Sequence, residues 1–105
     1  MTIQTISYEV TLRVDPALAP ALEAYMRREH IPAILRTGCF RQIRFDQASA
    51  NVFRTSYQAQ TRQDLDRYLQ DYAPALREDF QTHFPTGVTL SREVWTPLES
   101  WESRE

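Results

Sequence analysis

The chain has 105 residues, 42% hydrophobic and 25% charged, with a formal net charge of −2 at pH 7. This is the balance of an ordinary folded domain, and it presents no basic excess that would call for nucleic acid or an anionic membrane as a partner. One cysteine cannot close an intramolecular disulfide or build a thiolate metal cluster, and no stretch reaches the ~18 apolar residues of a transmembrane helix.

Met1-Thr2-Ile3-Gln4 lacks the basic-then-apolar layout of a secretion signal, so a cytoplasmic protein is expected. From Ile6 to Leu12 the residues alternate, with Ile6, Tyr8, Val10 and Leu12 on one side and Ser7, Glu9 and Thr11 on the other. This period of two predicts a strand with one buried face. Asp15-Pro16 offers an N-cap and a first-turn proline, and Leu18, Leu22, Tyr25 and Met26 follow at helical spacing. Pro20 delays the regular part of that helix. His30-Ile31-Pro32 is expected to break it, because the residue before proline is pushed out of helical geometry. Pro32 then opens a short second helix through Leu35, which Gly38 stops in a left-handed conformation.

A second strand is expected over Cys39 to Phe45 and a third over Asn51 to Ala59, joined by the turn residues 46–50. Cys39, Ile43 and Phe45 share a face, as do Phe53, Tyr57 and Ala59; Gln42, Arg44, Arg54, Ser56 and Gln58 make the opposite side polar. Thr61-Arg62-Gln63-Asp64 resembles a capping box. Leu65, Tyr68, Leu69, Tyr72, Leu76 and Phe80 form one helical stripe, with Pro74 predicting a kink or break near residues 71–73. Val88, Leu90 and Val94 alternate with Thr89, Ser91 and Glu93 in a fourth strand that carries Arg92. No internal repeat longer than the strand–helix period is visible. Residues 1–95 form the domain, and residues 96–105 read as a polar, acidic tail.

The order β-α-(short α)-β-β-α-β defines an α+β, ferredoxin-like split βαβ fold, in which helices cover one face of a four-stranded antiparallel sheet. The open face is expected to carry Glu9, Thr11, Gln42, Arg44, Arg54, Ser56, Gln58 and Trp95. Such a face meets a partner or a ligand when it mixes aromatic with polar groups.

The segments Tyr8-Glu9-Val10-Thr11, His30-Ile31-Pro32, Gly38-Cys39-Phe40, Tyr57, Tyr68-Leu69, Leu76-Arg77, Phe80 and Arg92 resemble an uncharacterised bacterial family of single-domain proteins of about a hundred residues. The resemblance implies a ferredoxin-like fold of the dimeric α/β barrel type and brings no established reaction with it.

The expectation is a small homodimer, joined through the open sheet face, that binds a small organic ligand at or near that face. His30, Tyr57 and Arg92 are the candidate ligand-binding residues. Because the unperturbed imidazole pKa lies near neutrality, His30 is read either as a general base or metal ligand, or as a cap on the helix end. Arg92 interrupts an apolar alternation and would hold an anionic group, or be satisfied by Glu9 or Glu93. Cys39 reads as a buried, inert thiol. No cofactor and no metal site are expected. The alternatives are a non-catalytic dimerisation module and a cofactor-free monooxygenase- or isomerase-like enzyme.

Overall fold

The computed structural model describes residues 5–104. Strand β1 runs over Ile6–Val14, and Asp15 caps the next turn by accepting from the Ala17 N–H at 3.0 Å, with Pro16 opening a 3-10 turn (Pro16–Leu18). Helix α1 (Ala19–Tyr25) continues through a π turn (Met26–His30) into α2 (Ile31–Leu35). The hairpin is β2 (Gln42–Ser49) and β3 (Val52–Ala59). Thr61 then accepts from the Asp64 N–H at 3.1 Å and starts α3 (Arg62–Arg67), the N-cap half of the expected capping box, while the Asp64 carboxylate accepts from Arg67. A second π turn (Tyr68–Tyr72) leads into α4 (Ala73–His83), and β4 (Val88–Trp95) completes the sheet.

The sheet order is β2-β3-β1-β4, with every pairing antiparallel, which is the split βαβ arrangement the element order predicts. The register shows why the two faces differ. One set of rows reads Ile43–Tyr57–Tyr8–Val94, Phe45–Thr55–Val10–Arg92 and Gln47–Phe53–Leu12–Leu90; this side packs under the helices. The other reads Gln42–Gln58–Ser7–Trp95, Arg44–Ser56–Glu9–Glu93 and Asp46–Arg54–Thr11–Ser91, and is the open face. Leu12, Leu22, Met26, Ile34 and Leu65 are fully buried at the centre of the core.

The chain does not break at His30-Ile31-Pro32. His30 and Ile31 both keep right-handed helical angles. Proline removes a hydrogen-bond donor and crowds the carbonyl four residues back. Here the Ile31 N–H reaches one residue further, to Met26 O, and the wider turn absorbs the misfit. The second helix repeats the device: the Ala73 N–H bonds Tyr68 O immediately before Pro74, so the expected kink takes the form of a π turn.

The second strand also differs from expectation. It starts at Gln42, and buried Cys39 and Phe40 precede it. It runs on to Ser49, with a bulge between Gln47 and Ser49, because Asp46 and Gln47 still pair with Arg54 and Phe53. The turn is therefore only Ala50-Asn51. Asn51 ties it to β1, donating from Nδ2 to Val14 O at 3.1 Å and accepting the Val14 N–H at 3.0 Å. Gly38 has φ 74°, the left-handed stop expected of it. Residues 96–104 form neither helix nor strand, and Leu98 and Trp101 on them are exposed. Among the described residues no helix is long and apolar enough to cross a membrane.

Candidate functional site

The helices do not close completely over the sheet. Between the helix-facing side of β1, β3 and β4 and the helical layer lies a cavity of about 380 Å³. Its floor is Tyr8, Val10, Leu12, Thr55 and Tyr57; its roof is Met26, His30, Tyr68, Leu76, Phe80 and Phe84. Arg77 and Arg92, both exposed, line it from α4 and β4. His30, Tyr57 and Arg92, singled out separately in the sequence, thus line a single cavity. The ligand site had been expected at the open sheet face, whereas this cavity lies on the opposite, helix-covered side. The alternation of β4 puts Arg92 on the face of Leu90 and Val94, and the pairing of Arg92 with Val10 establishes that this is the inner face.

The register also removes the carboxylate partners proposed for Arg92. Glu9 and Glu93 project to the open face, where Glu9 meets Arg54 at 3.6 Å. Arg92 is left facing tyrosines. Burial pushes the Tyr57 hydroxyl up to about 12; a hydrogen bond from Thr55 and the positive charge of Arg92 oppose the rise, while Tyr8 adds to it. Burial likewise raises Tyr68, with Tyr57 and Tyr8 adding and Arg77 and Arg92 opposing. Both hydroxyls therefore remain protonated at neutral pH and serve as donors. The Tyr8, Tyr57 and Tyr68 rings cluster at centroid separations of 5.7–6.5 Å. Arg77 Nη2 donates to the Tyr8 hydroxyl at 3.1 Å. Tyr68, read as core from its place in the stripe, is both core and cavity wall. Tyr72 from the same stripe is among the exposed hydrophobics, because the π turn rotates it off the buried side.

His30 is not a helix cap: it makes no side-chain hydrogen bond to the helix end. The histidine that does bond a backbone carbonyl is His83, Nδ1 to Asp79 O at 2.9 Å. The His30 ring lies against Tyr25 and Phe80 at centroid distances of 5.6 and 5.5 Å, and its Nδ1 is 3.4 Å from the Tyr25 hydroxyl. That hydroxyl donates to Asp79 Oδ2 at 2.6 Å. Burial drives His30 down from its ordinary 6.5 to about 4; Asp79 opposes the fall and His83 adds to it. The ring is therefore neutral at physiological pH.

The π turn makes this contact possible. In a regular α-helix residues five apart point about 140° away from each other. The wider turn over Met26–His30 brings Tyr25 and His30 to one side. Tyr25, Asp79, Arg77 and Thr55 were not singled out from the sequence as site residues. Only the proline two positions after His30 hinted at irregular local geometry. Among the described residues no group of three or more His, Cys, Asp or Glu is placed to hold a metal ion.

The fold and this cavity define a ferredoxin-like α+β domain with a donor-rich, aromatic-lined pocket between sheet and helices. Residues 5–98 match the family described as Domain of unknown function (DUF4286), and the chain belongs to that family. No curated protein matches the sequence. Among solved structures, the chain is similar to a protein of unknown function from Nitrosomonas europaea, at 13% identity, 98% coverage of both chains and a TM-score of 0.69. It is also similar to a monooxygenase of Streptomyces coelicolor solved in complex with the ligand nanaomycin D, at 16% identity and a TM-score of 0.72, covering 95% of this chain and 93% of that one. A third is SnoaB, a cofactor-independent oxygenase of Streptomyces nogalater, at 12% identity and a TM-score of 0.67, covering 95% and 99%. At these identities the likeness is one of fold.

Proposed function

We propose that the domain binds a small organic molecule carrying an apolar ring and an acidic oxygen, a phenol, enol or carboxylate, in the cavity between sheet and helices. The observation that carries this reading is the convergence of His30, Tyr57 and Arg92 on one cavity of about 380 Å³, a size suited to a small ligand. Val10, Leu12, Met26, Phe80 and Phe84 supply apolar walls for the ring. The hydroxyls of Tyr57 and Tyr68 and the guanidinium groups of Arg77 and Arg92 are donors, which suits an electron-rich oxygen or an anion.

The same reading makes the protein a homodimer, with the open sheet face as the contact. That face carries Arg44 and Arg54 beside Glu9, Asp46 and Glu93, and it ends in Trp95, which is 54% exposed. Soluble proteins most often assemble with two-fold symmetry, and this mixed-charge face can complement itself.

Turnover is a second reading, favoured by one observation: the cavity holds a neutral histidine. Two of the structurally similar proteins are a monooxygenase and a cofactor-independent oxygenase, which supports catalysis of that type in this fold. The test is binding of para-nitrophenol followed by its colour change and by calorimetry. Saturable binding that weakens at least tenfold in Arg92→Ala supports the ligand site. Equal binding by the wild type and Arg92→Ala, or none, refutes it and leaves a dimerisation module. Light scattering showing a monomer at micromolar concentration would refute the dimer.

A further inference from the structure

The Asp79–Tyr25–His30 series crosses from α4 to the first helix. Asp79 is exposed and gains nothing from burial. Tyr25 is 5% exposed, and its hydroxyl has a single proton. That proton is committed: the oxygen lies 2.6 Å from Asp79 Oδ2, a carboxylate oxygen that can only accept. Toward His30, 3.4 Å away, the Tyr25 oxygen can therefore only accept. The donor in that contact is the ring's Nδ1–H, and Nε2 is left with its lone pair.

We propose that Tyr25 and Asp79 are positioning residues that hold His30 in the Nδ1–H tautomer, so that Nε2 is the cavity's proton acceptor for a phenolic or enolic ligand. The inference rests on the ligand-binding reading above and names the chemistry of that site. The step is a proton transfer. The ligand O–H bond breaks, an Nε2–H bond forms, and the electron pair stays on the ligand oxygen as an anion. Arg77 and Arg92, lining the same cavity, are the cations available to that anion. The imidazolium formed on His30 is stabilised by Asp79 through Tyr25. The groups facing the ring are Tyr25 from its own helix, and Asp79, Phe80 and His83 from α4; Glu29 acts on the Tyr25 hydroxyl. Of these, Asp79 favours the charged ring and His83 disfavours it. Burial holds the ring neutral, and a bound anion supplies the charge that makes protonation favourable.

The test reads the tautomer directly, by nitrogen-15 NMR of the imidazole rings without any ligand. His83 is assigned with His83→Gln; its Nδ1 faces a backbone carbonyl, so it serves as an Nδ1–H reference. The wild type is expected to show His30 protonated at Nδ1. In Asp79→Ala the Tyr25 proton is released to His30 Nδ1, and the ring should switch to the Nε2–H tautomer. Asp79 is exposed, so this substitution leaves the core intact. Tyr25→Phe should give a mixture of tautomers, and its ring can keep the contacts with Phe80 and Phe84. An Nε2–H wild type, or no switch in Asp79→Ala, overturns the inference. Because this measurement needs no ligand, failure of para-nitrophenol to bind would count against the ligand site alone. An Nε2–H ring in a protein that binds para-nitrophenol would count against the relay alone.

Discussion

The His30 ring makes stability depend on pH in a way that isolates its environment. Burial lowers its proton affinity from the ordinary 6.5 to about 4, so between those values the unfolded chain binds a proton that the folded one excludes. Stability is therefore complete above pH 6.5 and declines as the pH falls toward 4. A displacement of that size corresponds to roughly 3 kcal/mol at about 1.4 kcal/mol per tenfold change. The ring is part exposed, and solvent screening reduces the expected loss to about 1–2 kcal/mol, or a fall in Tm of roughly 5–15 °C. Urea titrations of the wild type and His30→Gln across this window would measure it. Carboxylates remote from His30 are common to both proteins and cancel in the difference. His30→Gln loses ring contacts with Tyr25 and Phe80 and should be less stable at neutral pH, but its stability should fall less steeply as the pH drops. Parallel curves for the two proteins would refute a buried, neutral His30.

Three further substitutions follow from local geometry. Gly87→Ala should cost about 2–3 kcal/mol by chemical denaturation, since φ is +86° and the new Cβ would lie 2.6 Å from Leu18 Cδ1. Gly38→Ala shares the left-handed backbone, at φ +74°, but meets no atom within 4 Å, so its cost should be nearer to about 1 kcal/mol. Thr61→Ala removes the acceptor of the Asp64 N–H and should lower stability by about 1 kcal/mol without changing para-nitrophenol binding. Trp101 is 81% and Trp95 54% exposed on a single chain, so acrylamide should quench their fluorescence freely in a monomer. Partial protection that disappears on dilution would place Trp95 in the dimer contact, and concentration-independent quenching would argue against it.

The sheet was legible because its signals are local. Ile6, Tyr8, Val10 and Leu12 alternate cleanly, and a half-buried strand with two neighbours has no other way to fold. The caps at Asp15 and Thr61 were legible for the same reason, since each oxygen meets an N–H two or three residues away. The start of β2 was misplaced because Cys39 and Phe40 are buried ahead of the strand, and burial without pairing looks like strand in a sequence. The site was half legible. His30 and Arg92 stood out as polar groups in apolar patterns, but Tyr25 and Asp79 lie 54 residues apart and meet only through the packing of two helices.

The prolines hid the connection between these residues. Read by its usual effect, Pro32 ends a helix, and a helix ending at His30 would expose that ring at a terminus with free carbonyls to bond. In the folded chain both Pro32 and Pro74 follow a five-residue π turn, and the backbone passes through without leaving the helical region at His30 and Ile31. A π turn costs hydrogen-bond geometry and tends to persist where the rotated side chains have a use. One of them brings His30 against Tyr25 and, with Met26, over the sheet; the other starts at Tyr68 and directs Leu76, Arg77 and Phe80 of the following helix to the same cavity. Both departures from α geometry sit where a proline follows, and both deliver side chains to one cavity. That convergence is the physical reason for proposing the space between sheet and helices, rather than the open face, as the ligand site.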